Sequence, residues 1–155
     1  MRLRRVALLP LRIVFTWLRA LGSPASLGAS VLCRNASDQI LLVRPRLAAG
    51  WVFPGGGVGR GESFAAAARR ELIEETGHFG GGELTLFGLY LKSFAGVSNH
   101  IALFCLEGGE IAFTPGVEIA DARWFDPQAL PPNTQPGVRR RLAELAGKVP
   151  RSQRW

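Results

Sequence analysis

The stretch WVFPGGGVGRGESFAAAARRELIEETG, residues 51–77, constrains this chain more than any other. Its first half places Gly55, Gly56, Gly57, Gly59 and Gly61 close together, a density that excludes helix and lets the backbone approach its neighbours closely. Its second half favours helix: Ser63 suits an N-cap, AAAARREL is strongly helix-forming, and Gly77 suits a left-handed stop. Phe64, Ala68 and Leu72, with Ala65, mark the predicted buried stripe. Glu71, Glu74 and Glu75 then crowd the final turns, where unpaired carbonyls favour cations. Glu71 neighbours the other two at i+3 and i+4, where each like-charged pair costs a few tenths of a kcal/mol and the dipole adds roughly 0.3–1 kcal/mol per charge. A divalent cation reverses the sign of both effects. Oxygen ligands without a nearby cysteine or histidine cluster suit Mg2+ or Mn2+ rather than zinc, and magnesium shares its shell readily with phosphate oxygens. The competing reading of the helix alone is a solvated acidic face.

The rest of the chain surrounds this segment with short strands. ASLGASVLCR and QILLVRP read as a hairpin about Asn35–Asp38, and Trp51-Val52-Phe53 as a brief strand entering an irregular glycine loop. LTLFGLYLKSF, HIALFCLEG and ARWF read as further strands. PGVRRRLAELAG reads as a second amphipathic helix, with Val138, Leu142 and Leu145 on its apolar face. Strands on either side of one helix, with another helix at the end, predict an α/β sandwich around a mixed sheet. A length of 155 residues fits one domain, and an apolar fraction of 47% with 20% charged residues excludes disorder and membrane-dominated classes. Cys33 and Cys105 lie in apolar runs and make no disulfide framework, which fits a reducing cytoplasm.

The net charge of +7 points to phosphates, nucleic acid or an anionic membrane face as partners. Residues 1–24 read as a basic amphipathic helix or arm. Arg5, Arg12 and Arg19 recur every seven residues, and Arg12 and Arg19 interrupt the apolar run enough to argue against a cleaved signal or a membrane span. Such a helix packs on its own domain, on a second copy, or on a membrane surface through residues 1–22.

Gly56, Glu62, Arg70, Glu71, Leu72, Glu74, Glu75 and Gly77 stand at the spacing of the Nudix box, and the chain resembles the Nudix hydrolase family, MutT-like proteins included. His78 departs from the pattern, standing where an apolar residue is usual; the position is read as packing. ASVLCRNASDQILLVRP and ADARWFDPQALP are similar to the family's flanking segments, so the resemblance covers roughly Ala25 to Gly147 within a domain taken as residues 25–155. It implies the Nudix fold, an α/β/α sandwich around a mixed β-sheet. It also implies Mg2+, with Mn2+ as substitute, and cleavage of the diphosphate linkage in a nucleoside diphosphate derivative. By position, Glu71, Glu74 and Glu75 resemble the metal carboxylates, with the Gly56 carbonyl a further ligand, while Glu62 and Arg70 pair to support the site. Glu71, Glu74 and the loop residue Glu118 are the candidate catalytic bases.

Arg44 and Trp51 are the candidate substrate-binding residues, Arg44 with Arg46 through phosphates and Trp51 through a base, with core packing the competing role for Trp51. His100 is weighed between the cleft and a structural role. A small-molecule nucleotide is the expected partner, nucleic acid enters only as a substrate, and a homodimer is a state the family allows. Two readings from other classes stand beside the hydrolase: a catalytically silent nucleotide- or RNA-binding module, and a membrane-surface adaptor using the arginine arm.

Overall fold

The computed structural model describes residues 25–94 and 97–155, and the predicted arm at 1–24 lies outside them. Strand β1 (Ala25–Arg34) turns into β2 (Ile40–Pro45) because Asn35 Oδ1 accepts from the amides of Ser37 and Gln39, closing a turn in which Asp38 takes a φ of 60°. β1 also runs parallel to β5 (Val97–Glu107), in register from Ala25↔Ser98 to Arg34↔Glu107. β4 (Thr85–Phe94) pairs antiparallel with β5, and β6 (Ile119–Phe125) antiparallel with β2, giving the order β4-β5-β1-β2-β6. The sheet is therefore mixed, as expected of an α/β sandwich.

Alternation along the strands sends side chains to two cores. Val31, Cys33, Ala102, Phe104 and Leu106 face helix α1 (Phe64–Thr76), while Leu32, Leu42, Phe87, Tyr90 and Leu103 face helix α2 (Pro136–Leu145). Helix α1 is capped as its sequence predicts. Ser63 accepts from the Ala66 amide at 3.1 Å, and Gly77, at φ 64°, gives its N–H to the Ile73 carbonyl. Its buried face is Ala67, Ala68, Leu72 and Thr76. Ala65 is exposed and Phe64 only half-buried, so the stripe lies about one residue further round than the apolar periodicity suggests.

The glycine segment departs from expectation. Gly55–Gly57 is not an irregular loop but a strand, β3, antiparallel to β1 with Gly28↔Gly57, Ala29↔Gly56 and Ser30↔Gly55 in register. The missing side chains permit this. A Cβ on Gly55 would lie 2.3 Å from the Ala29 carbonyl oxygen. Trp51 and Val52 make only isolated bridges, Val52 to Val43 and Trp51 to Thr134. No helix among the described residues is long and apolar enough to cross a membrane.

Candidate active site

β3 and the C-terminal half of α1 build the site. The register of β3 fixes where its backbone groups point. Val31 N–H bonds the Pro54 carbonyl and Val58 N–H bonds the Leu27 carbonyl, so the Ala29–Gly56 pair between them has the same parity and the Gly56 carbonyl turns toward β1. Gly55 and Gly57 have the opposite parity and present their amide and carbonyl away from β1, toward α1. Gly55 N–H accordingly reaches Glu75 Oε2 at 2.8 Å, and the Gly57 carbonyl accepts from Arg70 Nη2 at 3.0 Å. The α-carbon of Gly56 faces Glu71 so closely that a Cβ there would sit 2.5 Å from the carboxylate.

The three glutamates are anchored separately. Arg70 holds Glu71 at 2.7 Å and Glu74 at 3.3 Å through the same nitrogen, while Glu75 points to Gly55. Among the described residues no group of three histidine, cysteine, aspartate or glutamate side chains closes on a common centre. The helical spacing places the carboxylates side by side, and the guanidinium meets two of them. Arg70 also grips Glu62 with two nitrogens, at 2.9 and 3.0 Å. That pair holds the Glu62 carboxyl near the bottom of its range, at about 2, helped by the Gly59 amide.

Glu75 is shifted the other way. Burial raises its pKa to about 8 against the Gly55 hydrogen bond, and the charges of Glu71, Glu118 and Glu74 add to the rise. Glu118 stands on the exposed loop before β6, tied down by Arg46. Arg46 N–H bonds the Glu118 carbonyl and Arg46 Nε bonds the Gly116 carbonyl, both at 2.8 Å. The structure thus brings Glu62, Arg70, Glu71, Glu74 and Glu75 together around β3, with Glu118 on the loop before β6 near enough for its charge to act on Glu75.

Trp51 and Arg44 stand apart from the carboxylates' mutual contacts. Trp51 is 7% exposed and packs edge-on against Phe125 at 4.7 Å, which is the core-packing role weighed for it from the sequence. Arg44 is half exposed, paired with Asp121 at 3.8 Å and lying over the Trp51 ring. His100 is exposed on β5. His78 is buried, its ring within 3.2 Å of the Gly108 carbonyl and 3.6 Å of the Cys33 sulfur, a packing role that also lowers its pKa through burial. Asn99 drew no attention in the sequence, yet its side chain lies over Gly28, and its buried Oδ1 has no hydrogen-bond partner.

The profile of the NUDIX domain matches residues 24–145. The chain belongs to the Nudix family. A Bacillus subtilis (strain 168) protein named as a candidate 8-oxo-dGTP diphosphatase is 36% identical over 118 residues, covering 76% of this chain and 78% of the relative. Two solved Nudix structures share the fold. A MutT NUDIX hydrolase from Burkholderia pseudomallei superposes with a TM-score of 0.69 at 22% identity over 78% of this chain and 98% of its own. A NUDIX hydrolase from Nitrosomonas europaea superposes with a TM-score of 0.66 at 24% identity over 80% and 90% respectively. Membership of this hydrolase family makes the chain a pyrophosphohydrolase.

Proposed function

We propose that this Nudix hydrolase cleaves the phosphoanhydride of a nucleoside diphosphate derivative with a divalent cation held between β3 and α1, within a catalytic domain spanning residues 25–155. The observation that carries the reading is Glu75: a half-buried carboxyl that turns from α1 to the Gly55 amide at 2.8 Å, its pKa pushed up to about 8 chiefly by desolvation. Such a group is destabilising alone and becomes favourable beside Mg2+ or Mn2+. The donor set fits a hard cation: carboxylates of Glu71, Glu74 and Glu75, with the outward carbonyl of Gly55 in place of the Gly56 carbonyl, which faces β1. Magnesium needs few protein ligands because it keeps several waters. When bound, the cation neutralises phosphate oxygens and acidifies water.

The chain's own residues do the rest. Arg70, braced by Glu62, keeps Glu71 and Glu74 oriented, and β3 presents its backbone without side chains to obstruct a polyphosphate. The proton released on attack goes to one of Glu71, Glu74 or Glu118. Asn99 on β5 holds a buried, unpartnered Oδ1 beside Gly28 of β1, the residue paired with Gly57 of β3. The Bacillus relative places nucleoside triphosphates, oxidised purines included, first in a substrate panel.

The test has two parts. Calorimetry with Mn2+ in the presence of a nucleotide should register cation uptake by the wild type and its loss in Glu75→Gln. Turnover of the panel with Mg2+ should fall by about 100-fold or more in Glu71→Gln and Glu75→Gln. Cation uptake without turnover of any panel compound would favour the silent binding module. Ranking Glu71→Gln, Glu74→Gln and Glu118→Gln by loss of the acidic limb of the pH–rate profile identifies the base.

A further inference from the structure

A strand of three glycines has no side chain with which to fix its own position, so its geometry is set by whatever grips it. On the α1 side the grip is Glu75 on the Gly55 amide and Glu71 against the Gly56 α-carbon. Along the sheet β3 is held by its ladder to β1 and by the Pro54 carbonyl bonded to Val31, and the first side chain before it that enters the α2-side core is Phe53. The Phe53 ring meets Trp155 edge-on, with centroids 6.5 Å apart and planes at 80°, and Trp155 meets Tyr90 in the same way at 5.7 Å.

Trp155 is carried there by residues 151–155, which run along the outer edge of β4. Leu91 N–H bonds the Gln153 carbonyl at 2.8 Å, Trp155 N–H bonds the Leu91 carbonyl at 3.0 Å, and Arg151 bonds the Phe87 carbonyl at 3.0 Å. Two buried charges of α2 fasten this strap. Arg141 and Glu144 pair at 2.7 Å with almost no exposure. Glu144 also accepts from the Ser152 amide at 2.9 Å and the Tyr90 hydroxyl at 3.0 Å. Arg141 donates to the Arg154 carbonyl at 2.9 Å and lies 4.1 Å over the Tyr90 ring. Helix α2 keeps a glycine where the strap crosses it, since a Cβ on Gly137 would sit 2.5 Å from Trp155 Nε1. A buried ion pair seldom contributes net stability, but it fixes one arrangement where its remaining hydrogen-bonding groups are satisfied. Here two of those groups are met by the strap, Arg141 Nη1 by the Arg154 carbonyl and Glu144 Oε1 by the Ser152 amide, and Glu144 Oε2 by Tyr90, while Arg141 Nε has no partner.

We infer that Trp155 is a positioning residue for the glycine strand: the strap sets Phe53 from one side of the sheet while Glu75 sets Gly55 from the other. This rests on the proposed cation site between β3 and α1. In the full chain, Trp155→Ala should still unfold cooperatively. Its Gly55 and Val58 amides, bonded to Glu75 and Leu27, should exchange about tenfold faster without metal, its Mn2+ affinity should weaken, and its kcat should fall by about 10- to 100-fold with little change in KM. Trp155→Phe should restore most of each. A folded Trp155→Ala protein with wild-type amide exchange, Mn2+ affinity and kcat would overturn the inference. Should Trp155→Ala not fold, Phe53→Leu and the milder truncation Trp155→Leu, alone and combined, decide the matter through the same amide exchange: coupled losses support the strap and additive ones overturn it. Failure of the wild type to take up Mn2+ would strike the cation site itself, while the metal-free exchange rates would still decide the strap.

Discussion

Glu75 shows how this molecule sets folding against chemistry at a single side chain. Its carboxyl is ordinary in the unfolded chain, near 4.5, and is raised to about 8 in the fold, chiefly by burial. Between those values the native state holds a proton that the unfolded state has lost. The metal-free protein must therefore lose stability as pH rises through that window, with a limiting slope of about 1.4 kcal/mol per pH unit. Glutamine at this position keeps the shape and an acceptor for the Gly55 amide but cannot ionise. In EDTA, Glu75→Gln should melt near the wild type at pH 5 and several degrees above it at pH 8, by differential scanning calorimetry. A melting difference that does not widen with pH would show that the buried charge is already relieved. The presence of the carboxylates was legible in the sequence, because acidic residues at a helix C-terminus contradict the dipole and invite a reason. Their partners were not. The single Arg70 nitrogen shared by Glu71 and Glu74, and the turn of Glu75 toward β3, depend on rotamers that spacing leaves undetermined.

The elements divide in the same way. Helix α1 was readable from its cap, its stop and its periodicity, all of them local. β3 was not, since glycine has little strand propensity and its pairing is dictated by β1. Gly56→Ala tests that element: the added Cβ would fall 2.5 Å from the Glu71 carboxylate. The variant should fold and lose about 100-fold in kcat, since Glu71 must swing away; wild-type turnover would show that β3 can shift without consequence. In α2, apolar periodicity found Val138, Leu142 and Leu145 but carried no information on the charges between them. The missed signal was Arg141, three residues beyond Val138 on the core face, with Glu144 three further on. The strap at 151–155 has no periodicity to read and owes its place to those two charges. Removing one of them leaves the other buried without its counter-charge. Glu144→Gln should therefore cost about 3–5 kcal/mol, read as a lower urea midpoint. A drop under about 1 kcal/mol would mean that water already reaches the pair.

At the scale of the whole molecule, the acidic site poses a problem for an anionic substrate. Glu71, Glu74 and Glu75 lie at the site proposed to receive a polyphosphate, and all the acidic residues lie from Asp38 onward. The net charge of +7 offsets this only unevenly: Arg2, Arg4, Arg5, Arg12 and Arg19 supply most of the excess, leaving the remaining chain nearly balanced. Attraction of that kind acts over about 10 Å at 0.1 M salt and weakens as salt rises. If the arginines between residues 2 and 19 draw substrate toward the domain, kcat/KM for a nucleoside triphosphate should fall several-fold between low and 0.5 M KCl at fixed Mg2+, with kcat almost constant. Replacing all five by glutamine in the full chain should flatten that dependence and lower the low-salt value toward the high-salt one. An unchanged slope in the five-fold variant would place the steering on the domain's own cations, Arg44 and Arg46 first among them, and would leave residues 1–24 without a part in substrate capture.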